Sequence, residues 1–312
     1  MSHITPHPFS PLRLGTRASP LAMAQAHLVA AALCQAHGWR ADAIDIRPVV
    51  ASGDKILDRP LADIGGKALW TKELDRSLML GEIDFAVHSM KDVETIRPDE
   101  LTIAAMLPRA DARDRLIGAA SIAAIRTSGT VGTSSPRRRA QIGRARPDLK
   151  VTLFRGNVAT RLAKLEAGEA DATLLAAAGL DRLGQSDVGV AIDVEEMLPA
   201  PAQGAVGIET RTDNEAVRGL LAPINDAPTY NCVMAERAVL LALGGTCHSP
   251  IAALAVLHDG TIWLRAEILS ADGSEAVNDS CVIAPDDLGS AAALGHRLLE
   301  RASPALRALF NP

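Results

Sequence analysis

The chain has 312 residues, 48% of them apolar, 22% charged and 3% aromatic, which excludes global disorder and leaves a core built from Ala, Leu, Val and Ile. A net charge of −5 and a pI near 5.9 exclude a general nucleic-acid binder. That average hides an asymmetry: residues 126–161 hold nine basic residues against one acid, Asp148, so this segment carries +8 and the remainder −13.

In chain order, residues 12–14 read as a strand and Gly15 as a turn. Ser19 caps, and Pro20 opens, a helix that runs to about residue 37 and stops at Gly38. Ile44 and Ile46 alternate as a strand, followed by a turn at 52–54 and a Gly65-Gly66 loop. Residues 67–80 read as a helix with Trp70, Leu74 and Leu78 on one face and Gly81 past its end. Residues 83–87 form an apolar strand that runs directly into His88-Ser89-Met90-Lys91-Asp92. Strands alternating with such helices predict a mainly parallel α/β sheet, which places ligands beyond the carboxyl ends of its strands.

The same grammar then recurs. GTSSPRRRA from Gly132 parallels GTRASPLA from Gly15: a glycine turn, a hydroxyl cap at Ser135 and a proline at 136 opening a helix. A strand at 151–154, a helix at 158–167, a strand at 172–175, a helix near 177–183 and a strand at 190–192 follow. Two similar α/β lobes are the expectation. Pro199 and Pro201 mark a crossing, and AVGIET from Ala205 reads as a strand returning to a sheet, the first lobe's being the candidate. The last section differs. A helix over 229–243 leads into GGTCHSPI, then three β-like runs near 252–258, 261–269 and 276–284, then a helix over 287–309. That is a small α+β domain.

Cys34, Cys232, Cys247 and Cys281 are widely spaced with no CxxC, which indicates neither a zinc site nor a disulfide scaffold. Residues 238–257 lack a formal charge, but GGTCHSP interrupts them with groups costly in lipid, so no membrane span is expected. The first residues show no basic region followed by an apolar stretch, so no secretory signal is expected and the setting is cytoplasmic.

Arg137, Arg138 and Arg139 fall in the first turn of a helix, where the macrodipole disfavours positive charge, so an anion is expected to join them. Arg155 follows a strand, Arg161 lies one turn into the next helix, and Arg17 occupies the matching turn of the first lobe. The pattern points to a small polycarboxylate or phosphate. A solvated basic face and a nucleic-acid patch compete with it, although Phe154 is the only aromatic within 126–161. Lys91 beside Asp92 can bind an anion while the carboxylate does acid–base work, against the plainer reading of a surface ion pair. His88 reads as a structural, hydrogen-bonding histidine. Cys247, flanked by Gly245, Thr246, His248 and Ser249, reads equally as a nucleophile or an inert thiol, and the other cysteines as inert. There is no P-loop, GxGxxG or metal-ligand cluster, so no metal is expected.

Eight blocks together carry a resemblance: LGTRASPLA (14–22), SGDKILDRPLADIGGKALWTKEL (52–74), VHSMKDV (87–93), GTSSPRRRAQ (132–141), RGNVATRL (155–162), AAGLDRLG (177–184), QGAVGIE (203–209) and GGTCHSPI (244–251). In this order they resemble the porphobilinogen deaminase (hydroxymethylbilane synthase) family over nearly the whole chain. The resemblance implies two lobes like type II periplasmic binding proteins and a small C-terminal α+β domain with a three-stranded antiparallel sheet. It places them at residues 1–106 with 203–223, at 107–202, and at 224–312. The implied enzyme joins four porphobilinogen molecules head to tail on a covalent dipyrromethane cofactor, releases ammonia, and hydrolyses off hydroxymethylbilane.

By matching motif, Cys247 holds the cofactor and Asp92 is the catalytic carboxylate. Arg17, Ser19, Lys91, Arg137, Arg138, Arg155, Arg161 and Arg182 bind the carboxylates of substrate and cofactor. A monomer acting on a small molecule, without nucleic acid or membrane, is the family expectation. The sequence departs from the common pattern at Trp70, at Thr246 in the cysteine loop, at Glu94 where a proline is usual after KDV, and in PAPAQG before the returning strand. A two-lobed anion-binding protein without catalysis is the alternative, and it leaves the cysteine loop unexplained.

Overall fold

Leu12 and Leu14 point inward along β1 (Leu12–Arg17), the first strand of a computed structural model that describes residues 11–49, 71–246 and 249–310. The Ser19 hydroxyl accepts from the Ala22 amide at 3.3 Å, Pro20 opens α1 (Pro20–His37), and Gly38 closes it at φ +66°. β2 (Ile44–Val49), α2 (Lys72–Met79), β3 (Phe85–Ser89) and β4 (Leu101–Met106) follow. The third strand starts two residues later than the sequence suggests. The amides of Glu82 and Ile83 are still bonded to the Ser77 carbonyl at the end of α2, so the strand cannot begin before them. At its other end the strand extends through His88 and Ser89, which pair with Gly207 and Val206.

The next stretch builds a second sheet from β5 (Asp114–Ile117), β6 (Thr130–Gly132), β7 (Lys150–Thr152), β8 (Ala172–Ala176) and β9 (Val190–Ala191), in the order β7-β6-β8-β5-β9. Its helices are α3 (Pro136–Ala145), α4 (Val158–Glu166) and α5 (Ala177–Arg182). Phe154 has left the ladder predicted for 151–154 because its ring lies against Gly132, where a Cβ would stand 2.4 Å from it. The chain then returns: β10 (Val206–Arg211) inserts between β3 and β4, completing the order β2-β1-β3-β10-β4.

Both five-stranded sheets share a departure from the mainly parallel expectation. Four strands of each sheet point the same way, and one, β10 in the first and β5 in the second, is antiparallel to both its neighbours. A connection that crosses between halves delivers that strand, so it is free of the right-handed helical crossover that forces parallel pairing.

After α6 (Glu215–Leu221) and α7 (Ala227–Ala242) come β11 (Ile251–His258), β12 (Thr261–Leu269) and β13 (Ala276–Ile283), an antiparallel three-stranded sheet in sequence order. The expected single helix over 287–309 is two, α8 (Leu288–Arg301) and α9 (Pro304–Arg307). Pro304 drives the residue before it out of the helical region; Ser303 sits at ψ 160° and caps α9 instead.

Among the described residues, 11–49, 71–110 and 205–230 form one compact unit, and 111–204 with 231–246 and 249–310 form a second. Separate apolar clusters lie beneath the three sheets: Leu14, Leu33, Phe85 and Ile208 in the first; Leu116, Val131, Ile142 and Leu174 in the second; Val239, Leu264, Ile268 and Leu294 in the third. No helix of the described residues is long and apolar enough to cross a membrane.

Candidate active site

β1 and β3 are parallel neighbours, so their carboxyl ends open on the same edge of the first sheet. At that edge lies a cavity lined by Arg17, Ser19, Gln25, Thr71, His88 and Asp92, among others. Arg17 ends β1, Ser19 caps α1, and Asp92 closes a 3-10 turn (Met90–Asp92) directly after β3. The turn exists because the Met90 amide bonds the Ala205 carbonyl, while the Val93 amide bonds back to Met90. Gln25 and Ser89 exchange hydrogen bonds of 2.8 and 3.0 Å across the strand end. Asp92 and Lys91 are both half-buried.

In the second unit, the anion expected at the arginine-bearing helix end is part of the chain. Asp114, fully buried at the start of β5, accepts from Arg137 at 2.8 Å, from Arg138 at 2.7 Å and from the Gln203 amide at 2.8 Å. Arg137 also donates to Gln141 at 2.8 Å and to the Leu198 carbonyl at 3.0 Å, and Arg138 to the Leu174 carbonyl at 2.7 Å. Both guanidiniums are buried, and among the described residues their Nε–H groups have no hydrogen-bond partner. Although burial alone raises a carboxyl pKa, the two arginines hold Asp114 well below the usual carboxylate range. Burial in turn lowers Arg137, against the pull of Asp114.

Arg155 is buried just after β7, and Arg161, half-buried in α4, donates from Nε to the Gly156 carbonyl at 3.0 Å. Arg182, the last residue of α5, is lowered by burial and donates to the Gly204 carbonyl at 2.7 Å. Cys247, together with Trp70 and the 52–54 and 65–66 turns, lies outside the described residues.

The structure thus brings Arg17, Ser19 and Asp92 to one cavity and ties Arg137 to Arg138. Sequence reasoning missed Asp114 and Gln203, which organise that arginine pair, and Thr71 and Glu209, which stand behind Asp92. The one available signal was the mismatch of three cations at a helix N-terminus, which demanded an acid from elsewhere in the chain.

Residues 12–219 match the family model "Porphobilinogen deaminase, dipyromethane cofactor binding domain", and residues 230–303 match "Porphobilinogen deaminase, C-terminal domain". A relative from Sphingopyxis alaskensis named porphobilinogen deaminase is 58% identical over 97% of this chain and 98% of its own length. One of the same name from Paracoccus denitrificans is 50% identical over 95% of this chain and 94% of its own. Among solved structures, the VFT2 domain of Bordetella pertussis BvgS overlaps 70% of this chain and 87% of that one at 16% identity, with a TM-score of 0.41.

Proposed function

Since the chain belongs to the porphobilinogen deaminase family, we propose that it works as a hydroxymethylbilane synthase. This transferase condenses four porphobilinogen molecules head to tail, with loss of ammonia at each, and hydrolyses off the linear product. Its cofactor is the dipyrromethane of the family's first domain. Two linked porphobilinogen units carry four carboxylates, and the donor set suits them: Arg17 and Ser19 at the first cavity, Arg155, Arg161 and Arg182 in the second unit. The unpartnered Nε–H groups of Arg137 and Arg138 are further buried donors. When bound, the cofactor supplies the pyrrole carbon from which the chain grows.

The protein's own part is to position and to stabilise. Arginine, with two parallel N–H donors, fits each carboxylate in one orientation. Ser19, Lys91, Arg137 and Arg138 complete that set, and Cys247 is the attachment residue by its motif. Asp92 is the catalytic carboxylate. Loss of ammonia leaves positive charge on the substrate's methylene carbon, and a fixed negative oxygen lowers the energy of that state where a lysine or histidine would raise it. Asp92 also takes the proton that the attacking pyrrole carbon must lose once it has bonded to that methylene.

The observation that carries this reading is the meeting of Asp92 with Arg17 and Ser19 in one cavity at the carboxyl ends of parallel strands. Three domains, residues 1–106 with 203–223, 107–202 and 224–312, are supported by the three apolar clusters. A cytoplasmic monomer is the accompanying expectation; none of the described cysteines is in a disulfide, which suits a reducing compartment.

Intact mass under denaturing conditions tests attachment: the expected excess equals two linked porphobilinogen units and disappears in Cys247→Ser. An excess that persists in Cys247→Ser places the cofactor elsewhere. Asp92→Asn should abolish turnover of the cofactor-loaded protein, and near-normal turnover would remove Asp92 from the mechanism.

A further inference from the structure

Behind the Asp92 cavity lies a buried charged cluster that the reaction chemistry above does not use. Its centre is Arg97, whose side chain is 10% exposed and whose five N–H donors are all engaged. Nε and one terminal nitrogen grip Glu209 of β10 at 2.8 and 2.9 Å, a two-pronged contact. That same terminal nitrogen reaches Asp75 of α2 at 2.5 Å. The other donates to Glu94 at 2.9 Å and to the Thr71 hydroxyl at 3.3 Å, and Thr71 in turn donates to Glu94 at 2.9 Å. Glu209 is fully buried and lies 3.1 Å from Nε2 of His88.

Two members of this cluster, Thr71 and His88, also line the cavity that holds Asp92. The geometry also joins three elements through one guanidinium: α2 through Thr71 and Asp75, β10 through Glu209, and the loop leaving the Asp92 turn through Glu94 and Arg97 itself. Gly207 of β10 lets the elements close up, since a Cβ there would stand 2.1 Å from the Met90 sulfur in that turn. Thr71, His88 and Glu209 of this cluster lie in the shared blocks, whereas Asp75, Arg97 and Glu94, itself a departure from the usual pattern, lie outside them.

We propose that Arg97 is a positioning residue for Asp92, fixing the turn that carries it and supplying the positive charge that offsets Asp75, Glu94 and Glu209 behind the cavity. The charged groups around that wall are Arg17 from the end of β1, His88 from β3, Lys91 and Asp92 from the turn, Glu94 and Arg97 from the loop, Asp75 from α2 and Glu209 from β10. Without Arg97, Asp75, Glu94 and Glu209 lose the guanidinium they share, and like charges disfavour the ionised form of any carboxylate near them. Holding the burial-raised Asp75 and the well-depressed Glu209 in one cluster requires a delocalised fork that can serve both.

The inference rests on the reading of Asp92 as the catalytic carboxylate. The test is the pH dependence of porphobilinogen turnover by the cofactor-loaded full chain, for wild type, Arg97→Gln, Arg97→Lys, Glu94→Gln and Asp92→Asn. Arg97→Gln should lower kcat at least tenfold with KM changed less than twofold, and its acid limb should move to higher pH. Arg97→Lys should bring the limb back while recovering only part of kcat, because an ammonium cannot grip Glu209 and Glu94 together. An acid limb unmoved in Arg97→Gln, or a loss matched by the unfolded fraction in urea, overturns the proposal. If Arg97→Gln does not fold, Glu94→Gln decides: removing one carboxylate should move the limb to lower pH, and an unmoved limb refutes the role. An active Asp92→Asn instead defeats the underlying reading, whatever the Arg97 variants do.

Discussion

Asp114→Asn is the sharpest test of how the second unit holds its arginines. The substitution keeps the shape of the side chain but removes a buried carboxylate that bonds both Arg137 and Arg138, which sit 3% and 5% exposed. Removing one partner of a buried ion pair typically costs about 3–5 kcal/mol, because the charge left behind stays out of water. Here two guanidiniums are left without their shared negative charge, so the upper part of that range applies. With a urea dependence of about 2 kcal/mol per molar, the unfolding midpoint should fall by about 2 M.

The sign with pH is fixed by the same contacts. A carboxyl held below its ordinary range contributes fully above that range and loses its contribution as pH falls through the depressed value. The gap between wild type and Asp114→Asn should therefore be widest at neutral pH and narrow in acid. Asp148→Asn is the control: its Arg146 bond is as short, at 2.7 Å, but both partners sit in solvent reach, and its midpoint should not move measurably. Equal midpoints for wild type and Asp114→Asn would refute the reasoning.

Glu209 makes a parallel acid prediction: held at about 2 against an ordinary 4.5 by His88 and Arg97 despite its burial, it contributes roughly 3 kcal/mol above pH 4.5 that drains away as pH falls toward 2, and Glu209→Gln should flatten that part of the stability curve. Gly132→Ala drives a methyl into the Phe154 ring and should cost about 1–3 kcal/mol in thermal or urea unfolding; Gly132→Ala with Phe154→Leu should recover part of the loss. Asn157→Ala removes the carbonyl that accepts from the Thr160 amide at 2.9 Å and should cost about 1 kcal/mol, with Asn157→Gly nearer to wild type.

Local capping chemistry was readable from the sequence alone. Ser19-Pro20, Ser135-Pro136 and Gly38 mark helix ends by interactions spanning a few residues, and the helices begin and stop there. The placement of β10 was half readable: a strand was evident, its destination a guess, because pairing with Val87 and Ala105 is decided far along the chain. Asp114 was invisible. Its partners follow 23, 24 and 89 residues later, and nothing in the run DRLI distinguishes a buried acid from a surface one. Arg97 escaped for a similar reason, since its grip on Glu209 spans 112 positions. The family blocks point to Asp92 as the candidate carboxylate, but the groups packed near its turn come from α2 and β10, whose approach depends on tertiary packing.

The late strand also constrains the order in which this protein can be made. A nascent chain that has emerged only through β4 has all the other strands of its first sheet, yet the slot between β3 and β4 stays empty until β10 is synthesised. During that interval the facing edges of β3 and β4 present unpaired amides and carbonyls, a template for intermolecular pairing. Glu209 travels on the same strand, so Arg97 and His88 also wait for their carboxylate. The first lobe can therefore reach its final form only after the whole second sheet has left the ribosome.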